Sequence, residues 1–383
     1  MPTQDPDIRH EWDLDPDFVT VNHGSFGATP RAVRDAQRAW QDRMERQPTR
    51  FFSTVLPAAL RQAAEDLGRF LNARGRDIVF ADNATTVCNA VLRSLTFKPG
   101  DEVLILSHAY GAVRNAVRFV TEQAGASIAE AATPFPNPTE DGLVAAVTAA
   151  ITPRTKLAVI DHITSGSAIV LPAARIAAAC HAADVPVLID GAHAPGQIDL
   201  DISAIGADWY TGNCHKWLCA PKGCAFLHAP PARQPGLHPG TISHGFGKGY
   251  LAEFDWTGTT DPSRFLVASE AIAFHHRLGG ADLRERNRLL AADGADYVAR
   301  RLGTGVGSTG SLAAAMATIR LPVADASPEH ALAIRGRLLE AGTDVPVHAL
   351  DGALWLRLSA FAYNRMQDYE LLADIVAHTL RRR

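Results

Sequence analysis

The chain has 383 residues, of which 47% are hydrophobic and 20% charged, with a formal net charge of −4. This is the composition of an ordinary globular protein, long enough for two domains that share a large core. The charge balance, without a long basic run, argues against a nucleic-acid partner, and no apolar run approaches the roughly 20 residues of a membrane span.

Residues 1–20 are polar and acidic at the start, unlike a secretion or transit signal, so a cytoplasmic location is expected. They read as an N-terminal arm anchored by Trp12, Leu14 and Phe18. Residues 21–30 form a glycine-punctuated loop ahead of a helix that starts near Pro30. Val33, Ala36, Trp40 and Met44 give residues 31–47 one apolar side, and Pro48 follows as a breaker. Residues 77–80 are a short strand. The stretch Asp82-Asn83-Ala84-Thr85-Thr86 then leads into a helix over 87–95, whose free N–H groups and dipole suit a phosphate. Asn83 or Thr85 as a plain N-cap is the simpler role, and the two are compatible.

Residues 101–107 are the next strand, ending at His108-Ala109-Tyr110, where an aromatic ring is delivered to the strand's end. Residues 156–162 and 185–190 are buried strands on either side of a helix over 171–183. A further apolar run from Asp208 ends in Thr211-Gly212-Asn213-Cys214-His215-Lys216-Trp217. Residues 223–228 close the sheet as an antiparallel strand, and the Pro- and Gly-rich segment 230–262 is a site-lining connection. A helix over 263–278 opens a second unit, with strands at 313–320 and 353–359 and helices at 329–341 and 367–381. The repetition predicts an α/β fold with a mostly parallel sheet, helices on both faces and polar groups at strand C-termini. The expected division is an arm at 1–20, a large domain at 21–262 and a smaller α+β domain at 263–383.

Two strand ends carry the chemistry. One delivers Asp190, with His193 just beyond, and the other delivers Lys216. This pairing suits pyridoxal 5′-phosphate (PLP): the amine forms an imine with the aldehyde, and the carboxylate keeps the pyridine nitrogen protonated. Lysine is scarce, and Lys98, Lys156, Lys222 and Lys248 fall in turns, a loop or a strand entry. Lys216 alone follows a strand in polar company; an ordinary surface lysine is the alternative. Arg357 sits inside the apolar run Leu354-Trp355-Leu356-Arg357-Leu358, where an unpaired charge is costly. A substrate α-carboxylate held bidentately meets that need, as does an internal Asp or Glu. Cys214, Cys219 and Cys224 lie close together but lack C-x-x-C spacing, so reduced thiols are expected and no metal site.

These stretches resemble the class V aminotransferase-like PLP enzymes of the cysteine desulfurase superfamily. Within it they are most similar to the isopenicillin N epimerase branch, which includes ergothioneine-type C–S lyases. The resemblance spans nearly the whole chain. It rests on the Thr211 to Trp217 block, Asn22-His23-Gly24-Ser25-Phe26-Gly27, Asn83-Ala84-Thr85-Thr86 and His108-Ala109-Tyr110-Gly111. Gly258-Thr259-Thr260-Asp261-Pro262 and Arg357-Leu358-Ser359 with Tyr363-Asn364 fit the same branch. It implies fold type I of the PLP-dependent transferases, with a seven-stranded type of sheet, and a homodimer in which Gly258-Thr259 reaches the partner's phosphate site.

For the site, the resemblance implies Thr85, Thr86, Asn213 and His215 around the phosphate and Tyr110 stacked on the ring, with His108 as a rival. It sets His162 and His193 near the phenolic oxygen, although a satisfied structural histidine fits His162 as well. Asn22 and His23 face the substrate, with a capping loop of no chemical role as the alternative, and Arg50 stands near its mouth, where a solvated arginine is the plain reading. Many relatives carry an arginine where this chain has Thr260. The implied activity is chemistry at Cα and Cβ of an amino acid, first a C–S β-lyase on a cysteine S-conjugate. Epimerisation of the isopenicillin N type is the alternative, followed by decarboxylating, oxidative or transaminating reactions. A desulfurase is disfavoured because no cysteine lies beyond residue 224. A non-catalytic interaction protein is disfavoured because Asp190, His215, Lys216 and Arg357 are all present.

Overall fold

The computed structural model describes residues 8–381. Seven strands, β1 (Ile78–Ala81), β2 (Glu102–Leu106), β3 (Ser127–Ala131), β4 (Thr155–Asp161), β5 (Val187–Asp190), β6 (Trp209–Asn213) and β7 (Ala225–His228), form one sheet. Its order is β1-β7-β6-β5-β4-β2-β3. The pairings from β6 across to β3 are parallel, and β7 runs antiparallel to both of its neighbours.

Both faces of this sheet are covered, which is why its strands are almost continuously apolar. Leu104, Ile160, Ile189 and Phe226 point into one core, packed by helices α1 (Arg31–Arg46) and α2 (Leu56–Phe70). Their alternating neighbours Val103, Val159, Leu188 and Leu227 enter the other, beneath α3 (Ala84–Ser94) and α4 (Gly111–Ala124). Helices α5 (Glu140–Ala150) and α6 (Ala173–His181) complete the crossovers. The expected start of α3 at residue 87 moves back to Ala84, because Asn83 caps the helix by accepting the Thr86 N–H at 2.9 Å.

The helix expected over 263–278 breaks at Val267 into a turn at Ser263–Leu266 and α7 (Ala268–Arg277). Ala271 and Phe274 of α7 pack into the core of the large sheet rather than away from it. A separate core follows, built from α8 (Ala281–Leu302), α9 (Pro328–Glu340), α10 (Met366–Arg381) and a three-stranded antiparallel sheet. That sheet contains β8 (Met316–Arg320), β9 (Val347–Leu350) and β10 (Ala353–Ser359), with β10 central. In the arm, residues 1–7 lie outside the described residues. Trp12 is buried in a cage of Phe274, Phe361 and Tyr363 and donates to the Ala28 carbonyl at 3.1 Å.

Candidate active site

Strands β4, β5 and β6 are parallel neighbours, so their C-terminal ends emerge together at one edge of the sheet, where open α/β folds place ligands. A cavity of about 400 Å³ opens there. The turns after β5 and β6 supply Asp190, His193, Asn213, His215 and Lys216 to its wall, while α3 and the β2–α4 turn supply Thr85 and Tyr110.

Lys216 is almost wholly buried, and desolvation, helped by the Arg357 charge, lowers its pKa from 10.5 to about 8. Its Nζ lies 3.1 Å from His193 Nε2. On the other side of that ring, the Trp217 indole N–H donates to His193 Nδ1 at 3.5 Å. An indole can only donate, so the neutral imidazole carries its proton on Nε2 and points it at the lysine nitrogen. Burial holds the His193 pKa far below the usual value, in keeping with that neutral ring. A neutral, lone-pair-bearing Lys216 is the form this arrangement favours.

Asp190 is buried at the end of β5, and its Oδ1 accepts the Ala192 N–H at 2.9 Å. No other hydrogen bond reaches the carboxylate among the described residues, which leaves its second oxygen for the cavity. Desolvation raises its pKa. Around the N-terminus of α3, Asn213 Oδ1 accepts the Ala84 N–H at 2.9 Å and Asn83 takes the Thr86 N–H. The Thr85 N–H and the Asn213 amide NH₂ remain for an anion. His215 Nδ1 must donate to the Cys224 carbonyl, 3.0 Å away, so its Nε2 is bare in the neutral ring. Burial depresses its pKa to about 4.

Arg357 lies on β10 and is 2% exposed. Its guanidinium donates to Ser165 O at 2.7 Å, Ser165 Oγ at 3.3 Å, Ser25 Oγ at 2.9 Å and Asn22 Oδ1 at 3.2 Å. All are neutral oxygens, and Nε has no partner. Desolvation lowers its pKa to about 10. No Asp or Glu hydrogen-bonds it among the described residues: Asp344, whose charge reaches Arg357, is held by Arg335 at 2.8 Å and by Asn22 at 2.7 Å. Arg357 does not itself line the Lys216 cavity, and its charge is met only by neutral oxygens, which leaves it without a hydrogen-bonded anion among the described residues. Ser25 also lines the Lys216 cavity, so the loop of residues 22–27 joins the two. Gly27 ends that loop with φ +68°, and a Cβ there would collide with the backbone carbonyls of His215 and Lys216.

Several expected residues are elsewhere. His23 is buried behind the wall, not in it. It stacks on Phe361 with ring centroids 3.7 Å apart, and its nitrogens sit 2.9 Å from the Tyr363 hydroxyl and 3.1 Å from Lys216 O. Asn22 serves Arg357 and Asp344 with its amide group. His162 is buried with Nδ1 2.7 Å from the Tyr210 hydroxyl, the satisfied structural histidine. Arg50 is exposed at the foot of a short helix and lines no part of the Lys216 cavity. Thr86 and Thr259 meet in a neighbouring cavity of about 270 Å³ instead. Tyr110 is in the wall, 45% exposed. His108, its rival, turns away to Ser167 Oγ at 3.0 Å and Asp351 at 3.3 Å. Asp161 and Ser25, absent from the sequence expectations, line the cavity too.

The set fits PLP on its own chemistry. A buried amine with a lowered pKa suits the aldehyde, a carboxylate with one free oxygen suits the pyridine nitrogen, and unclaimed N–H groups at a helix N-terminus suit the phosphate. No group of His, Cys, Asp and Glu able to hold a metal occurs among the described residues. Nor is any helix there long and apolar enough to cross a membrane.

Comparison with known proteins agrees. The model of the family described as aminotransferase class-V matches residues 29–372. An isopenicillin N epimerase from Amycolatopsis lactamdurans is 35% identical, over 96% of each chain. A probable chloroplastic L-cysteine desulfhydrase from Arabidopsis thaliana is 33% identical over 94% of this chain and 83% of that protein. Two structures of the cystine C–S lyase C-DES superpose with a TM-score of 0.81 at 22% identity. One, holding the product cysteine persulfide, covers 94% of this chain and 98% of its own. The other, a lysine-to-alanine variant with glycine linked covalently to PLP, covers 98% and 99%.

Proposed function

The chain belongs to the aminotransferase class-V family and shares its PLP chemistry, and on that premise we propose that it is a C–S β-lyase acting on a cysteine S-conjugate. Bound PLP supplies the electron sink that makes a Cα proton removable. Everything else falls to the chain. Lys216, whose buried amine gives up its own proton near pH 8 rather than 10.5, takes that proton in its neutral form. Asp190 holds the proton on the pyridine nitrogen through its free oxygen. Thr85 and Asn213 hold the phosphate at the N-terminus of α3. Arg357 grips the α-carboxylate with help from Asn22 and Ser25. As the Cβ–S bond breaks, Tyr110 hands its phenolic proton to the departing sulfur. Water then releases pyruvate and ammonia, and the proton taken up by Lys216 replaces the one Tyr110 gave away.

The observation that carries this reading is the inventory of the cavity: a buried amine, a half-exposed phenol and no thiol. All five cysteines are buried, so none is positioned to accept sulfur as a desulfurase requires. Their free, buried state also supports a reducing compartment such as the cytoplasm. The relative that is 35% identical over 96% of its length favours a second reading, epimerisation, which needs a proton donor opposite Lys216 and no leaving group.

The test supplies cysteine and a panel of its S-conjugates, follows pyruvate, ammonia and thiol, and analyses recovered substrate for chirality. Pyruvate formation that drops by roughly 10²–10⁴-fold in Tyr110→Phe supports the lyase. Inverted substrate without pyruvate assigns the protein to epimerisation.

We further propose a homodimer in which Thr259 reaches the partner's phosphate. Two features support it: Thr259 does not line its own chain's Lys216 cavity, and the cavity's mouth carries Tyr110 and the 66%-exposed Phe26.

A further inference from the structure

Asp161 ends β4 in register with Asp190 at the end of β5. Residues paired across parallel strands point to the same face of the sheet, and the strands are about 4.8 Å apart. Two carboxylates therefore stand side by side in the wall of one cavity, 5% and 4% exposed.

The charges around them do not balance two anions. Lys216 faces both from the turn after β6, and its own amine is driven towards the neutral form. Arg114, on α4, is committed to Glu130 and to the carbonyls of Leu106 and Ser107, both at 3.0 Å. Cys88, on α3, feels both carboxylates and is itself held as a neutral thiol by burial. Like charges this close in a dry site do not both ionise. Which residue keeps the proton follows from the same surroundings. Asp190 has the Ala192 N–H and the pull of Lys216. Asp161 has the Tyr110 N–H and Arg114 in its favour, but its burial and the charge of Asp190 outweigh them and push its pKa far up.

We propose that Asp161 is a positioning residue that stays a neutral carboxylic acid beside the Asp190 carboxylate, so that the pair presents a single negative charge to the cofactor. This rests on Asp190 being the pyridine partner. It gives the chain a specific device: a second anion would over-bind the ring proton and draw Lys216 back to its charged form, and the proton held on Asp161 prevents both.

The test uses apo-protein and three chains: wild type, Asp161→Asn and Asp190→Asn. Asparagine mimics a protonated aspartic acid in shape and charge. The first readout is PLP affinity by fluorescence titration. The second is the difference in thermal midpoint between wild type and Asp161→Asn across pH. A carboxyl whose pKa is raised by folding holds its proton in the native state after the unfolded chain has lost it. Wild type should therefore lose stability, relative to Asp161→Asn, as pH rises above about 4, until Asp161 itself ionises. Asp161→Asn should keep PLP affinity, whereas Asp190→Asn should weaken it by roughly tenfold to a hundredfold.

A flat difference curve, or an Asp161→Asn variant that loses affinity as Asp190→Asn does, overturns the proposal. If Asp190→Asn keeps its affinity while the difference curve slopes as described, the singly charged pair stands and the pyridine assignment of Asp190 falls. Should Asp161→Asn fold poorly, carbon-13 NMR of labelled aspartate in wild-type apo-protein decides. One buried carboxyl still protonated at neutral pH supports the pair, and none overturns it.

Discussion

Burial makes Lys216 a reporter of its own environment. Its amine has a pKa of 10.5 in the unfolded chain and about 8 in the fold. Between those values the unfolded chain carries the extra proton, so the stability of the apo-protein should rise as pH climbs from 8 towards 10.5. The gain should be roughly 3 kcal/mol and vanish in Lys216→Met, measured by chemical unfolding at several pH values. Arg357 makes a different prediction. Arg357→Ala should weaken amino-acid binding by about 1.5–3 kcal/mol, tenfold to a hundredfold, while PLP affinity is retained. Equal amino-acid affinity in the two proteins would move the carboxylate seat elsewhere. The place of Lys216 in the cavity wall could be anticipated from the sequence because few lysines compete with it. That of Asp161 could not, since an aspartate at a strand end shows its meaning only when register sets it beside Asp190. His23 was misjudged because a loop residue's sequence does not say which way its ring turns.

At the scale of elements, α3 ties the fold to the site. Its Asn83 cap and the Asn213 contact anchor the turn that offers Thr85 N–H to an anion. Asn83→Ala should cost about 0.5–2 kcal/mol in urea unfolding of the apo-protein, and PLP affinity should fall with it. The continuous apolar runs of β2, β4 and β5 announced a parallel sheet covered on both faces, and it is there. β3 left no such mark, for it lies at the sheet edge and is only partly buried. α8 was also missed: its buried positions include Asn287, Ala291, Gly294 and Ala295, too small or polar to draw an apolar stripe. Gly294 is needed there, because a Cβ would meet the Tyr369 ring at 2.6 Å.

For the whole molecule, the shared-site dimer makes the sharpest claim. Chains carrying Lys216→Ala and chains carrying Thr259→Ala should each be impaired. Mixed in equal amounts with free exchange, half of the dimers hold one intact site, and about a quarter of wild-type activity should return. Light scattering that reports an active monomer at assay concentration would rule the arrangement out. The loop of residues 22–27 has a further consequence, one of timing. It leans on the Lys216 backbone at Gly27, while Asn22 and Ser25 hold Arg357. Its seat is completed only when β10 arrives, with Ser359 N–H donating to Val21 O at 2.7 Å and Ser359 Oγ accepting the Gly24 N–H at 3.1 Å. A ribosome makes residue 22 early, residue 216 later and residue 357 near the end. On the proposed role of Arg357, a nascent chain with its seven-stranded sheet already formed still lacks the arginine for the amino acid's carboxylate, and reactivity towards free amino acids should wait until synthesis is nearly complete.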